Sequence, residues 1–302
     1  MAEAKRPRTV LVTGSGGNLG RKIVTHLATR DWCETIIGID RGGLDETKDV
    51  SSKVEVVTAD LRDAYDNGWI EAVGRADAIV HFAAQNPYPP CSWEDAIASI
   101  DMTANLLERA NPRGCRFAFA SSNHVMGGYK DENWEAVRPL RSATPPLPGT
   151  RFFAGGGYMQ PNMYATTKLV GERLLKAKAA SAAGAFTAVV LRIGWCLSGD
   201  SDPRRIAAAG GSVVAGPAAM QPPAEEAHDL KWFRNMWLSN RDLCAEFEAA
   251  LTADASAWPE PAIVVNAVSA NRGTIWDMTE AKTWLGHEPQ DDVWTELGME
   301  PD

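Results

Sequence analysis

The sequence lacks the features of membrane, secreted and nucleic-acid-binding proteins. None of its apolar runs approaches the roughly 18 residues needed to cross a bilayer. Positive charge is not in excess, since the net charge is −9, and this disfavours nucleic acid and anionic membranes as partners. The five cysteines are scattered without a Cys-x-x-Cys pair, so we expect no disulfide framework and no metal site, but reduced thiols in the cytoplasm.

The composition otherwise fits a water-soluble globular protein. Hydrophobic residues make up 45% of the chain and charged residues 23%, which are ordinary proportions. A length of 302 residues suffices for one large domain or for a core with an attached lobe. Because there is no low-complexity tract and no repeat beyond the alternation of strands and helices, the fold class must be inferred from the order of those elements.

A glycine-rich turn joins the first predicted strand to the first predicted helix. Residues 10–20 read VLVTGSGGNLG, in which an apolar run ends in glycines and a helical pattern begins near Asn18. Gly14 permits a tight turn, Gly17 lets the backbone approach a pyrophosphate, and Gly20 lets the helix pack closely on the strand. The helix N-terminus offers N–H groups to phosphate oxygens. A glycine triplet alone is equally typical of a structural turn, so the residues that follow must decide.

An acidic residue at the end of the second predicted strand favours NAD as the cofactor. The strand over residues 35–39 ends in Asp40, about 20 residues after the glycines, which is the expected spacing. A carboxylate there accepts hydrogen bonds from the ribose hydroxyls and repels the additional phosphate of NADP. Arg41 leaves an alternative open, because an arginine can accommodate that phosphate or lie over the adenine.

Three further predicted strands end in residues suited to binding a ligand. The strand over 54–59 is followed by Asp60, which either accepts a hydrogen bond from an adenine amino group or caps the next helix. The strand over 77–85 ends in small residues that let a cofactor lie close to the sheet edge. The strand over 115–120 leads directly to Ser122.

The alternation of strands and helices predicts an α/β protein with a Rossmann-type doubly wound parallel sheet. Ligands of such sheets bind at the carboxyl ends of the strands. We expect residues 1–192 to form the dinucleotide-binding domain and residues 193–302 a small carboxyl-terminal substrate-binding lobe, interleaved with the core. The later predicted elements are helices over 161–180, 229–251 and 274–285 and strands over 188–194 and 262–267.

Tyr164 and Lys168 lie four residues apart on a predicted helix, so their side chains share one face. A phenol has an ordinary pKa near 10, which is too high for a base at neutral pH. A neighbouring ammonium and the positive ring of a bound nicotinamide favour the phenolate. Lowering the phenol pKa to about 7 requires about 4 kcal/mol. Ser122, at the end of the neighbouring strand, is placed to hydrogen-bond the same substrate oxygen.

The spacing of Tyr164 and Lys168 is common by chance, but here it follows the glycine turn, the acidic strand end and a Ser-Ser strand end in that order. With these motifs the sequence resembles the extended short-chain dehydrogenase/reductases of the NAD-dependent epimerase/dehydratase superfamily over nearly the whole chain. It is most similar to NAD-dependent uronate dehydrogenases and related sugar dehydrogenases in the segments SSNHVMGGY, LRIGWC, WLSNRDLC and NAVSANRGTIWDMTEAKTWLGHEPQD.

This resemblance implies the oxidation of a sugar hydroxyl, with Tyr164 as general base, Lys168 as its partner and Ser122 as the polarising group. Hydride passes to carbon 4 of the nicotinamide ring, and in the uronate enzymes the product is a lactone. The resemblance also implies a homodimer or larger homo-oligomer that pairs through its long helices. The residues assigned to NAD are Gly14, Gly17, Asn18, Leu19, Gly20, Asp40, Arg41, Asp60, Leu61, Phe82, Ala83, Ala84, Ala120, Tyr164, Lys168 and Ile193. Those assigned to the substrate are Gln85, Ser122, Asn123, His124, Tyr164, Trp195, Trp232 and Arg234.

Several positions depart from the pattern of the resembled family. Ser99 stands where many members have an asparagine that completes a proton relay, although a serine is still able to hold a water. Trp195 replaces a serine of the uronate dehydrogenases. The family's arginine that binds the substrate carboxylate aligns near Trp232 of this chain. Lys231 and Arg234 are cations close to that position, and they either contact the ligand or belong to a solvated face of the helix. These departures leave open another acidic sugar or a less polar alcohol.

Alternative functions follow from the same motifs. A nucleotide-sugar epimerase or dehydratase uses the same fold and base but retains its NAD, and usually carries a larger carboxyl-terminal lobe than the stretch after residue 193 provides. A reductase of a less polar carbonyl compound is a further possibility. A cofactor-sensing binding protein needs the glycine turn but not the Tyr-Lys pair.

Two loop-like stretches, over 130–157 and 200–228, flank the predicted cleft, and loops of such length are usually functional or mobile.

Overall fold

The computed structural model of the chain describes residues 6–42, 49–85, 91–111, 114–132, 136, 139–154, 157–207 and 226–301. Within these residues seven strands form one sheet in the order β3-β2-β1-β4-β5-β8-β9, and neighbouring strands are parallel throughout. A separate antiparallel hairpin consists of β6 and β7. The predicted α/β class with a Rossmann-type doubly wound sheet is confirmed. The strands are β1 (Thr9–Thr13), β2 (Thr35–Asp40), β3 (Val54–Thr58), β4 (Ala78–His81), β5 (Cys115–Ser122), β6 (Phe152–Ala154), β7 (Gly157–Met159), β8 (Phe186–Ile193) and β9 (Ala262–Ala267).

Helices cover both faces of the sheet. Successive side chains of a strand point to opposite faces, so Val10 and Val12 join the hydrophobic cluster beneath α1 and α6, whereas Leu11 joins the cluster beneath α2, α3 and α4. In the part of the chain that the structure describes, no helix is both long and apolar enough to cross a bilayer, and no cluster of His, Cys, Asp and Glu could hold a metal ion. The helices are α1 (Asn18–Ala28), α2 (Asn67–Arg75), α3 (Trp93–Arg109), α4 (Asn162–Ser181), α5 (Glu226–Asn235), α6 (Asn240–Thr252), α7 (Thr279–Leu285) and α8 (Val293–Leu297), with a 3-10 helix over Asn123–Asp131.

The structure interrupts the single helix predicted over residues 229–251, so that prediction was wrong. A short non-helical link separates α5 from α6, and its backbone pairs with the chain that follows β8. The Trp195 N–H donates to the Met236 carbonyl at 2.7 Å, and the Trp195 carbonyl accepts from the Leu238 N–H at 3.1 Å. Ser239 then caps α6 with its side chain. Hydrophobic periodicity does not reveal that a distant segment uses these backbone groups.

The predicted helix over 274–285 begins later than expected, at Thr279. Leu140 takes up the preceding backbone, since its N–H donates to the Ile275 carbonyl at 2.7 Å and its carbonyl accepts from the Asp277 N–H at 3.0 Å. The residues before α7 therefore pair with a passing segment instead of continuing the helix.

The turn between β1 and α1 depends on a close approach of two backbone segments. Gly14 has a φ of +67°, in the left-handed region that favours glycine. A Cβ at Gly20 would lie 2.1 Å from the Gly14 carbonyl oxygen and 2.7 Å from Cα of Ser15. Both atoms belong to the backbone and cannot rotate away. The tight turn at Gly14 and the close packing of α1 at Gly20 therefore both require a residue without a side chain.

We expect Gly20→Ala to reduce the free energy of unfolding by about 1–3 kcal/mol, because the added methyl group forces the turn apart. Gly74→Ala is the matched control, since Gly74 is an exposed residue of α2 with open space around its Cα. The control change should instead stabilise the chain by about 0.5–1 kcal/mol. Urea unfolding of both variants checks this, and a Gly20→Ala variant as stable as the control would contradict the described turn.

Candidate active site

The three predicted catalytic side chains meet at the carboxyl edge of the sheet. Ser122 is the last residue of β5, and Tyr164 lies in the first turn of α4. The Ser122 side chain lies close enough to the Tyr164 phenol to favour its ionised form. Lys168, one turn later, places its Nζ 5.6 Å from the centre of the Tyr164 ring and 5.2 Å from that of Phe119. A hydroxyl, a phenol and an ammonium are therefore gathered at one point.

A buried ion pair fixes α4 against two strands of the sheet. Glu172, two turns after Tyr164, accepts a hydrogen bond of 2.6 Å from Oγ of Ser121 in β5. Arg192 of β8 donates to both carboxylate oxygens of Glu172, at 3.0 and 2.9 Å. All three of these polar side chains are buried. The helix that carries Tyr164 is thereby held to the strand that ends in Ser122.

Burial dominates the electrostatics of the catalytic group. It raises the pKa of Tyr164 to about 12, against a smaller lowering by the hydrogen bond with Ser122. It also lowers the pKa of Lys168 to about 8, so that the amine is still mostly cationic at pH 7. The chain's own groups therefore do not bring the phenol pKa near 7. Reaching that value from about 12 requires about 7 kcal/mol of additional stabilisation of the phenolate.

Two residues that follow the catalytic serine provide further polar groups. Nδ2 of Asn123 donates to the Ile193 carbonyl at 3.1 Å, while its buried Oδ1 has no hydrogen-bond partner among the described residues. His124 stands edge-on to the Tyr164 ring, with centroids 5.6 Å apart, and its Nδ1 lies 2.8 Å from Oγ1 of Thr150. Burial lowers the pKa of His124 to about 4, so the imidazole is neutral at pH 7. His124 thus makes the local loop hydrogen bond, and Asn123 keeps a buried acceptor.

The groups predicted for the cofactor phosphates and ribose lie at the glycine turn. Helix α1 begins after Gly17, with no side-chain cap and no acidic residue in its first turn among the described residues. The first N–H groups of α1 are therefore suited to phosphate oxygens. Asp40 accepts a hydrogen bond from the Gly16 N–H at 3.0 Å and another from the Arg41 N–H at 2.7 Å. The acidic strand end thus contacts the turn directly. The first N–H groups of α1 and the Asp40 carboxylate together fit the phosphates and the ribose of a dinucleotide.

The small residues after β4 also lie against the glycine turn. A Cβ at Gly14 would lie 3.0 Å from the backbone nitrogen of Ala83, which shows how closely the two segments approach. Phe82 packs against Phe247 of α6, with ring centroids 4.9 Å apart. The partly exposed residues of this segment are Phe82, Ala83, Ala84 and Gln85.

The chain after β8 covers the first turns of α1. Nδ2 of Asn18 donates to the Cys196 carbonyl at 3.3 Å, and Nζ of Lys22 donates to the Leu197 carbonyl at 2.6 Å. This segment and the glycine turn therefore enclose the helix N-terminus from two sides. Leu19, in the first turn of α1, is partly buried and packs on the core.

Asp60 is engaged by a neighbouring arginine. Its carboxylate accepts hydrogen bonds from the side chain and the backbone N–H of Arg62, and this pairing lowers the pKa of Asp60. The alternative that Asp60 caps the next helix was wrong, because Asp66 caps α2. Contact with an adenine amino group stays a prediction. Three other residues assigned to the cofactor are buried, namely Leu61, Ala120 and Ile193.

The aromatic and basic residues predicted for the substrate occupy different surroundings. Trp195 is partly exposed, and its ring stands edge-on to that of Phe233, with centroids 5.1 Å apart. Trp232 is fully buried and packs on Trp276, with centroids 5.7 Å apart. The Arg234 guanidinium lies 5.5 Å from the centre of an aromatic ring in α8. The structure thus makes Trp232 a core residue and engages Arg234 with a ring, whereas Trp195 keeps an exposed face that suits a pocket wall.

The serine expected in the proton relay is tied to its own helix. Ser99 Oγ donates to the Asp95 carbonyl at 2.9 Å and accepts from the Gln85 N–H at 3.1 Å. His81 of β4 is buried, and its Nε2 lies 3.0 Å from Oγ1 of Thr103. Burial lowers the pKa of His81 to about 3. Both residues therefore have internal partners that organise the turn after β4.

Sequence reasoning missed several residues that organise the site. Glu172 carried a signal, since it follows Lys168 by four residues and so lies on the same helical face. Arg192 and Thr150 carried none, because their partners are distant in the chain. The partner of Thr150 is His124, which the sequence places in a different segment.

Comparison with known proteins finds a matching family model and two similar proteins. The model of the NAD dependent epimerase/dehydratase family matches residues 10–209. The chain is 29% identical over 293 residues to L-arabinose 1-dehydrogenase (NAD(P)(+)) of Haloferax volcanii, covering 93% of this chain and 96% of that protein. It is 28% identical over 289 residues to the NAD-dependent glucose-6-phosphate dehydrogenase of the same organism, covering 93% of each.

A solved structure supports the same placement. A mutated uronate dehydrogenase matches with a TM-score of 0.67 at 25% identity, covering 96% of this chain and 85% of that one. The segment matched by the family model spans well over half of the chain and includes the glycine turn, Ser122, Tyr164 and Lys168. The chain therefore belongs to the NAD dependent epimerase/dehydratase family.

Proposed function

We propose that this protein is an NAD-dependent dehydrogenase that oxidises a hydroxyl of a sugar or sugar acid. The observation that carries the proposal is the meeting of Ser122, Tyr164 and Lys168 at the sheet edge that also bears the glycine turn. Two relatives that match nearly the whole chain are named for dehydrogenation of L-arabinose and of glucose 6-phosphate, which supports a sugar as substrate. The similar uronate dehydrogenase supports a sugar acid as well.

In this proposal the tyrosine acts as the base. Oη of Tyr164 takes the proton of the sugar hydroxyl, while the carbon atom that carries this hydroxyl loses a hydride. Ser122 hydrogen-bonds the same oxygen and orients it, and the Lys168 ammonium stabilises the phenolate. NAD, when bound, would supply the hydride acceptor and a positive charge that favours the phenolate. The N–H groups at the start of α1 would hold its phosphates, and Asp40 its ribose.

Burial explains why the base becomes active only in the assembled site. With a pKa of about 12, the Tyr164 phenol is neutral in the chain alone at pH 7. The low polarity that raises this pKa also strengthens the attraction of the phenolate to any nearby positive charge. Cofactor binding and activation of the base are therefore expected to occur together.

The polar groups beside the tyrosine suit a sugar. A buried acceptor without a partner costs free energy, and Oδ1 of Asn123 is such an acceptor among the described residues. A sugar hydroxyl would satisfy it. The partly exposed ring of Trp195 offers an apolar surface against which the C–H face of a sugar can pack.

An epimerase or dehydratase is the second candidate, because the family contains both activities and the same base serves them. The difference is the fate of the reduced cofactor, which a dehydrogenase releases. We expect NADH to accumulate in solution with at least one sugar from a panel of L-arabinose, glucose 6-phosphate, a uronate and an aryl alcohol, measured by absorbance. Conversion of sugars without NADH release would instead support the epimerase.

Tyr164→Phe should lower turnover of that sugar by about 10²–10⁴-fold, the usual contribution of a general base. Dinucleotide affinity should be unchanged, because the phenol is not among the phosphate-binding groups. Tyr65→Phe is the control, since Tyr65 is 84% exposed. Turnover that survives in Tyr164→Phe would show that another group is the base.

Lys168→Met should move the rising limb of the pH profile of kcat/KM to higher pH. The ammonium, with a pKa of about 8, is fully present below that pH and is lost as the pH rises through it. Its support for the phenolate is therefore greatest at neutral pH, where the variant should lose most activity. Lys176→Met is the matched control, because Lys176 pairs with Glu260 at the surface, 2.7 Å away. A profile that does not move would contradict the role of Lys168.

Asp40→Ser should raise the ratio of kcat/KM with NADP to that with NAD by at least about tenfold, or about 1.4 kcal/mol. The change removes the charge that repels the additional phosphate of NADP and leaves Arg41 beside it. The ratio is the proper readout, because Asp40 also binds the Gly16 N–H and its loss weakens both cofactors. Asp31→Ser, at an exposed position, is the control. An unchanged ratio would remove Asp40 from cofactor selection.

A further inference from the structure

A second buried ion pair lies outside the catalytic group. The side chain of Lys130 is fully buried, and its Nζ lies 2.6 Å from Oδ1 of Asp229, whose side chain is 6% exposed. Removing two charges from water is costly, and their mutual attraction offsets that cost only when their geometry is good. A buried pair of this kind is therefore better suited to specifying an arrangement than to stabilising the fold.

The other charged neighbours of the pair are weaker contacts. Asp131 lies 3.4 Å from Nζ of Lys130, but its carboxylate also binds the Arg151 guanidinium at 3.0 Å. His228, with its side chain about half exposed, lies 3.5 Å from the Asp229 carboxylate. Asp229 thus has the carboxylate oxygen nearest to Nζ of Lys130, although the hydrogen bond of Nζ goes to Asp131.

The pair joins two elements that border the catalytic edge. Lys130 lies near the end of the 3-10 helix that begins directly after Ser122, and Asp229 lies in the first turn of α5. Phe233, one turn after Asp229, has its ring centre 6.0 Å from Nζ of Lys130. The same ring packs edge-on against Trp195. A continuous set of contacts therefore runs from the ion pair to the partly exposed tryptophan after β8.

Apolar packing alone does not fix the position of α5. Val125 and Met126 of the 3-10 helix share a hydrophobic cluster with Trp232 and Phe233 of α5. The carboxyl end of α5 is held in addition by hydrogen bonds, since the Asn235 carbonyl accepts from Nδ2 of Asn271 at 3.1 Å and from Oγ1 of Thr274 at 2.9 Å, but these do not reach its first turn. The ion pair adds a contact of defined distance and partners.

We propose that the Lys130–Asp229 pair holds α5 in the position in which Phe233 supports Trp195 as one wall of the sugar-binding side. Both members of the pair are then positioning residues, since they act through the aromatic side chains. The inference rests on the proposed function, because it assigns the sugar to the Trp195 side of the edge. It adds a determinant of sugar binding that is separate from the catalytic group and from the glycine turn.

Kinetics of Lys130→Met and Asp229→Asn test this. Each change should raise KM for the sugar at least about tenfold, or about 1.4 kcal/mol, while kcat changes less than about threefold and the Kd of NAD less than about twofold. The double variant should raise KM no further than the larger single change, because both remove one contact. Lys176→Met is the matched control and should leave KM unchanged.

Hydrogen exchange provides a readout that needs no substrate. In Lys130→Met the amides of α5 should exchange at least about tenfold faster, while those of α4 keep their wild-type rates. If the wild-type chain oxidises no sugar, the proposed function fails and exchange alone decides whether the pair holds α5. Should Lys130→Met fail to fold, the isosteric Asp229→Asn carries both measurements.

Two results would overturn the proposal. One is an unchanged KM together with unchanged exchange in α5. The other is a change in KM accompanied by an equal change in NAD affinity or by faster exchange in α4, since this would show a general loss of structure.

Discussion

The carboxylate of Glu172 is the contact on which the arrangement of the catalytic edge depends. In the interior it binds Ser121 of β5 and Arg192 of β8, and so ties its own helix to two adjacent strands. Losing one member of a buried ion pair usually costs about 3–5 kcal/mol, so this contact strongly constrains α4. Tyr164 and Lys168 lie two turns and one turn earlier on that helix. This group therefore helps to set their position relative to Ser122.

The same burial that fixes the geometry also controls the chemistry. Parallel strands bring their carboxyl ends to one edge, where the glycine turn, the serine and the tyrosine helix converge. Within this edge the Tyr164 phenol is a weak acid, with its pKa raised to about 12. A base that is inactive until a positive charge arrives beside it limits proton abstraction to the loaded site. In the proposed dehydrogenase, the fold would thereby link binding of the dinucleotide to the reactivity of the sugar.

Much of this arrangement is predictable from sequence because it is encoded locally. The glycine spacing, the strand that ends in Asp40 and the four-residue step from Tyr164 to Lys168 each follow from backbone geometry over a few residues. The rest depends on partners that are distant in the chain. Periodicity cannot show that the backbone of Trp195 pairs with Met236 and Leu238 and so interrupts a helix much later in the chain. Alignment alone likewise could not show that Trp232 packs into the core.

In the proposed reaction a sugar gives its hydride to a nicotinamide at this edge, and the reduced cofactor leaves. Mass spectrometry of the cofactor after reaction with a sugar deuterated at the oxidised carbon tests it most directly. We expect one deuterium atom in each molecule of NADH released into solution. When the sugar is unlabelled and the solvent is heavy water, we expect none. Unlabelled NADH, or labelled cofactor that remains bound while the sugar is converted, would contradict it.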